Sequence, residues 1–273
     1  MGIDLHIHTI FSDGTLSPYE TVEMAKGKGI DGLAITDHDE IGGVKEGLEA
    51  GEKFGVKVVP GAEFSAKYNE KTLHILGYFV DYENPKLIEF VAQMKEARLK
   101  RTIKIIDKLA EQGLYITLAD VQENAGIGGI GRPHIATALI NKGFIKDAHT
   151  AFNLYLGDGK PCHISKSNIG PEVIIQLIKE AKGVPVLAHP NLNKMDVYIP
   201  ELVEMGMRGV EVWTPSQSPK EVKRYLEIVK KYNLIATGGS DSHGTRPGYP
   251  QIGEFSLPYI DMIGELEKEK QRN

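Results

Sequence analysis

The sequence predicts an α/β chain in which short strands alternate with helices, interrupted once by a block that is helical throughout. Three observations carry this. Seven apolar runs of strand length recur along the 273 residues. Most of them are separated by stretches with helical spacing and recognisable caps. Between Asn84 and about Gly170, by contrast, apolar residues recur only at helical intervals. Strands alternating with helices imply parallel βαβ units.

The elements follow in order. The first strand covers residues 3–7. Ser17-Pro18 then opens a helix that reaches Lys28, where Gly29 supplies a stop. Further strands fall at 32–36, 56–60 and 73–80. The helical block begins with residues 86–112, where Leu87, Phe90, Val91, Met94 and Ala97 mark one face, and continues with 118–124, 134–142 and 147–156. After Pro171 the alternation resumes with strands at 184–188, 209–213 and 234–237. The mixed charges of 262–273 suit a solvated helix end. The chain is therefore expected to form one barrel domain from 1–84 and 171–273, with 85–170 inserted as a helical, substrate-recognition unit.

Composition narrows the function. Hydrophobic residues make up 41% and charged residues 25%, with a formal net charge of −5. Such a balance argues against a broad basic face for nucleic acid, so stable DNA binding is not expected, while a small basic pocket for one phosphate stays open. The single Cys162 cannot form an intramolecular disulfide and excludes thiolate-rich metal sites. A cytoplasmic setting is expected. Asp4, His6 and His8 stand where a signal peptide needs an apolar stretch, and no 18-residue apolar run occurs, so neither export nor membrane insertion is expected.

The chemistry sits at the strand ends. On a strand the side-chain period is two, so Asp4, His6 and His8 project to one side and can converge. Thr36-Asp37-His38-Asp39 follows the second run, Glu63 the third, Ala188-His189-Pro190 the fifth and Ser240-Asp241-Ser242-His243 the seventh, while His74 lies within the fourth. Buried carboxylates and imidazoles need partners, and a cation supplies one. Parallel strands in a closed barrel bring their carboxyl ends to one face. The pattern predicts one shared metal centre built from His, Asp and Glu, suited to Mn²⁺, Fe²⁺ or Zn²⁺.

These motifs, His6-x-His8, Asp13, Thr36-Asp37-His38, Glu63, His74, Ala188-His189-Pro190 and Gly239-Ser240-Asp241-Ser242-His243, occur in order over nearly the whole chain. Together they closely resemble those of the PHP (polymerase and histidinol phosphatase) superfamily. The insertion, with Gly131-Arg132-Pro133-His134, resembles that of phosphoesterases acting on nucleoside 3′,5′-bisphosphates and 5′-phosphorylated oligoribonucleotides. The resemblance implies a distorted (β/α)7 barrel with a trinuclear metal centre, agreeing with the seven runs counted independently. It also implies hydrolysis of a phosphomonoester by a metal-bridging hydroxide. His6, His8, Glu63 and Asp241 would hold a first metal; Glu63, His74 and His189 a second; Asp13, His38 and His243 a third. Asp37 would orient a ligand, and His243 is also a conceivable leaving-group acid.

Arg132 precedes the Pro of a helix start, so its guanidinium and the free N–H groups there could face an anion, with His134 as a further substrate contact. Gly126-Ile127-Gly128-Gly129-Ile130-Gly131 satisfies G-x-G-x-x-G but follows a helical stretch rather than a strand, so a flexible loop is expected and not a dinucleotide site. The expected partner is a small phosphorylated substrate, a nucleotide or short oligoribonucleotide. Rival readings are a histidinol phosphatase, a 5′-3′ exoribonuclease, a metal-dependent amidohydrolase and, from another class, a non-catalytic metal-binding PHP module.

Overall fold

The computed structural model describes residues 2–125, 129–164, 168–254 and 261–272. Its strands are β1 (Gly2–Ile7), β2 (Ile30–Ile35), β3 (Lys57–Tyr68), β4 (Lys71–Tyr78), β5 (Val184–Leu187), β6 (Gly209–Trp213) and β7 (Ile235–Gly238). They hydrogen-bond in the order β1-β2-β3-β4-β5-β6-β7. Just beyond the last strand, Ser242 bridges Ile7 in parallel, and the His8 N–H donates to the Ser242 carbonyl at 2.8 Å. First and last strands therefore meet, and the sheet curls into a barrel.

Each of the seven apolar runs becomes a strand, but parallel pairing does not extend all the way round. β3 pairs with β4 antiparallel, and so does β4 with β5. The physical reason is the connection: only Asn69 and Glu70 separate β3 from β4, both at positive φ (47° and 62°). Such residues make a tight hairpin, whereas a parallel crossover needs a dozen or more. β3 also runs past the 56–60 segment to Tyr68, because Ala62, Phe64 and Ala66 pack with Leu73 and Ile75 in one buried cluster. The hairpin is what distorts the barrel.

Helices surround and cap the sheet: α1 (Pro18–Gly27), α2 (Val44–Phe54), α3 (Pro85–Glu111), α4 (Leu118–Gln122), α5 (Arg132–Asn141), α6 (Ala148–Ala151), α7 (Pro171–Glu180), α8 (Ile199–Glu204), α9 (Pro219–Tyr232) and α10 (Met262–Lys270). Local chemistry sets their starts. Ser17 and Glu20 form a reciprocal capping box on α1, and Asn84 Oδ1 accepts from the N–H groups of Lys86 and Leu87 on α3. A π-helical turn, Phe152–Leu156, continues α6.

Two cores result. Leu5, Ala34, Val59, Leu76 and Val186 are buried together between strands. Within 85–170, Ile105, Leu109, Ile135, Leu139 and Leu156 form a separate cluster that also encloses Cys162. The helical block thus buries its apolar faces largely against itself. In the G-x-G-x-x-G stretch, residues 126–128 lie outside the described residues; α4 before it is a helix and α5 after it begins at Arg132, so no strand introduces the motif. Among the described residues no helix is long and apolar enough to cross a membrane.

One close approach fixes how α2 lies on β3. A Cβ added to Gly51 would stand 2.7 Å from the Val56 carbonyl oxygen and 2.7 Å from Val58 Cγ2. Alanine gains about 1 kcal/mol in helix propensity over glycine, but overpacking against backbone costs about 1–3 kcal/mol. Gly51→Ala is therefore expected to be net destabilising by up to about 2 kcal/mol. Urea denaturation checks this, and unchanged or raised stability would contradict the packing.

Candidate metal centre

Nine side chains drawn from six strands and their following loops converge at one end of the barrel: His6, His8, Asp13, His38, Glu63, His74, His189, Asp241 and His243. Their ligand atoms fall into four overlapping groups, each within 4.8 Å: His8, Asp13, His38 and His243; His6, His189 and Asp241; His6, His8 and Glu63; His38, Glu63 and His74. Every metal-ligating residue expected from the sequence is brought into this constellation. The pairing of His6 with His189, and of His38 with Glu63, was not expected.

Glu63 is the hub. Its Oε2 lies 2.8 Å from His38 Nδ1 and 3.4 Å from both His6 Nε2 and His8 Nε2, while Oε1 lies 2.8 Å from His74 Nδ1 and 2.9 Å from His189 Nε2. Each oxygen faces its own set of imidazoles. Asp241 Oδ1 stands 3.1 Å from His8 Nε2 and 3.5 Å from His6 Nε2, and Asp13 Oδ1 stands 3.4 Å from His243 Nε2. Backbone strain gathers here too, since Asp39, His189 and Asp241 have φ of 50°, 25° and 54°. Non-glycine residues are held there only when their surroundings demand it.

The donor set fits divalent cations. His6 Nε2, His8 Nε2, Asp13 Oδ1, His38 Nδ1 and Glu63 Oε2 are buried without a hydrogen bond of acceptable geometry. Leaving each so costs about 1–3 kcal/mol, which a shared cation would offset. Protonation follows the neighbours. Burial, with His243 and His38 beside it, pushes His8 down to about 4, so it stays neutral. Burial opposes ionisation of Glu63, but His38, His74 and His6 outweigh it and hold the carboxyl well below the usual range. Burial opposes charge on His6, His189 and His243 as well, but the carboxylates facing them raise all three, His243 to about 9, so a cation binding there would displace protons.

Other side chains sort differently. Asp37 reaches an imidazole through Ser12: its oxygens accept from the Thr9 N–H and hydroxyl, each at 2.7 Å, and from the Ser12 hydroxyl at 2.6 Å, and that hydroxyl lies 3.5 Å from His8 Nδ1. It therefore shapes the loop after β1, and burial lifts it to about 6. Direct support for an imidazole comes instead from Glu211 on β6, whose Oε1 lies 3.0 Å from His6 Nδ1. Its place in the middle of an apolar strand was the available signal. His134 is buried, and its Nδ1 accepts from the Gly131 N–H at 3.1 Å, so it caps its own helix.

Above the centre lies a cavity of about 230 Å³ whose floor includes Glu63 and His189 and whose rim carries Arg98, Arg101 and Arg132. Arg98 pairs with Asp39. Arg101 Nε donates to the Ile164 carbonyl at 2.7 Å, while its Nη2 is buried without a hydrogen bond. Burial, with Arg132 and Arg98 adjacent, lowers its pKa to about 10. Arg132 Nη1 donates to the Leu156 carbonyl at 3.0 Å and to Asp158 at 2.8 Å. Arg98 and Arg101 escaped sequence reading because they sit among the ordinary surface charges of a long helix.

The PHP domain model matches residues 4–146. The chain belongs to the PHP family. Curated relatives include a phosphoribosyl 1,2-cyclic phosphate 1,2-diphosphodiesterase from Eggerthella lenta, 31% identical over 93% of this chain and 98% of that protein. A 5′-3′ exoribonuclease from Haemophilus influenzae is 31% identical over 95% and 96% of the two chains, and a 3′,5′-nucleoside bisphosphate phosphatase from Chromobacterium violaceum 31% over 94% and 93%. Among solved structures, a protein from Bifidobacterium adolescentis provisionally assigned as a metal-dependent phosphoesterase superposes with a TM-score of 0.89. It is 33% identical and covers 97% of this chain and 95% of its own. This PHP chain is a metal-dependent phosphoesterase that uses divalent cations.

Removing the hub should empty the centre. Glu63→Ala is expected to lose most bound metal and turnover together; elemental analysis after gel filtration checks it, and full metal occupancy in that variant would refute the bridging role.

Proposed function

We propose that the chain is a phosphomonoesterase that removes a phosphate from a small nucleotide such as a nucleoside 3′,5′-bisphosphate. The observation that carries this reading is one cavity with two unlike ends, a floor of imidazoles and carboxylates fitted to hold cations and a rim of three arginines. A substrate bearing two phosphates fits that division. The bisphosphate phosphatase and the cyclic-phosphate diphosphodiesterase among the relatives support a small, highly phosphorylated substrate.

We assign His6, His8, Glu63 and Asp241 to one metal, Glu63, His74 and His189 to a second, and Asp13, His38 and His243 to a third, for a total of three. When bound, these cations would neutralise phosphate oxygens and lower the pKa of a water. The protein's part is orientation. His243 Nδ1 donates to the Asp241 carbonyl at 2.9 Å, which leaves Nε2, 3.4 Å from Asp13, as the atom a cation would take in place of a proton. That arrangement favours a ligand over a leaving-group acid at His243. Arg132 and Arg101 hold the retained phosphate, Arg101 through an Nη2 that has no hydrogen bond, and guanidinium groups suit bidentate contacts with phosphate oxygens. The unit 85–170 acts as the substrate-recognition wall.

A phosphate-release assay with Mn²⁺ tests the reading against nucleoside 3′,5′-bisphosphates, histidinol phosphate, phosphoribosyl 1,2-cyclic phosphate and short 5′-phosphorylated RNA. The bisphosphate is expected to be preferred, and release from none would sink the assignment. Arg132→Ala should raise KM for a bisphosphate about tenfold or more, as loss of a charge-assisted contact worth about 1.5–3 kcal/mol implies, and far less for a simple aryl phosphate. Equal effects on both would refute the role of Arg132.

A further inference from the structure

We infer that Glu211 is a positioning residue that holds two imidazoles of the metal centre, His6 by its ring and His189 by its backbone, so that both present Nε2 inward. The inference rests on the metal-ligand assignment proposed above and extends it to a strand that contributes no ligand.

Glu211 lies in the middle of β6 and is fully buried. A carboxylate so placed is costly unless it is well hydrogen-bonded. Its two oxygens are divided. Oε1 lies 3.0 Å from His6 Nδ1, and Oε2 accepts from the His189 N–H at 2.7 Å. With a carboxylate at that distance His6 carries its proton on Nδ1, which leaves a lone pair on Nε2. Nε2 is the atom directed at Glu63 and Asp241.

The contact to His189 has a different purpose. That residue has φ of 25°, which an L-residue adopts only under constraint. The hydrogen bond from its N–H to Glu211 supplies one, and the ring is thereby set with Nε2 2.9 Å from Glu63 Oε1. One carboxylate on β6 thus ties the end of β1 to the end of β5. Because His6 and His189 are assigned to different metals, Glu211 couples two sites without touching either. β6 itself is anchored on the far side, where Gln217 Nε2 donates to the Glu211 carbonyl at 3.1 Å.

Glu211→Gln separates this role from mere packing. The amide keeps the side-chain volume and an oxygen for the His189 N–H, but turns an NH₂ group toward His6 Nδ1. That nitrogen must then accept, and the imidazole proton moves to Nε2, the ligating atom. Long-range ¹H–¹⁵N spectra of the metal-free full chain, recorded at a pH high enough for the ring to be neutral, should show His6 protonated on Nδ1 in the wild type and on Nε2 in the variant. Chelator competition with Mn²⁺ should show affinity about 10–100-fold weaker in Glu211→Gln, the range found when a group supporting a ligand is lost. A wild-type His6 whose neutral ring carries its proton on Nε2 overturns the inference even if the variant fails to fold. Wild-type Mn²⁺ affinity in a folded variant overturns it while leaving the ligand assignment standing; a wild-type chain that takes up no Mn²⁺ overturns both.

Discussion

A single buried carboxylate, that of Glu63, lies between the nitrogens of five imidazoles, and the architecture is arranged around the cost of putting it there. An ionised group taken out of water needs compensation of several kcal/mol. Four strands or their loops supply it, and cations would complete it. Placing Glu63 within β3, rather than in a loop, holds the carboxylate on rigid backbone while histidines from either side of the sheet reach it. The cross-strand bridge between His38 and Glu63 and the hydrogen bond from the Asp39 N–H to the Glu63 carbonyl keep that backbone aligned.

The β3–β4 hairpin serves the same end. Had β4 run parallel, His74 would stand near the start of the strand and point away from the other strand ends. Running backward, it places His74 opposite Ser65, two residues from Glu63 and on the same rim as His189. The distortion of the barrel is therefore inseparable from the metal centre. It also leaves the strand ends open to the helical block, whose long α3 delivers Arg98 and Arg101 over the cavity.

Positive charge at the rim, with cations held by the carboxylates and imidazoles of the floor, would let a chain of net charge −5 attract a phosphorylated substrate. The relevant field is local and focused by low-dielectric walls, not the total charge. Arg98 is paired with Asp39 and Arg132 with Asp158, so Arg101 faces the cavity with the larger net charge. Burial, and then repulsion from Arg132 and Arg98, lowers the pKa of Arg101. A bound phosphate would relieve that repulsion.

Strand positions, the helical block and all nine converging side chains were legible in the sequence, because apolar runs of strand length and polar residues just beyond them are local patterns. His-x-His on β1 is readable for the same reason, since alternate residues of a strand share a face. The direction of β4 was not, although the Asn69-Glu70 connection is too short for a crossover. Nor were the partners of Asp37 and Glu211. The resemblance made Asp37 a group that orients a ligand, and the intermediary, Ser12 lying between Asp37 and His8, is visible only in three dimensions. Glu211 stands out as an acid inside an apolar strand, yet nothing local says that it meets His6 from 205 residues away. Residue type and period determine which atoms are available on which face. Which of them meet depends on how the sheet closes, and only the tertiary structure decides that, because the energy of a buried charge is set by its neighbours in space.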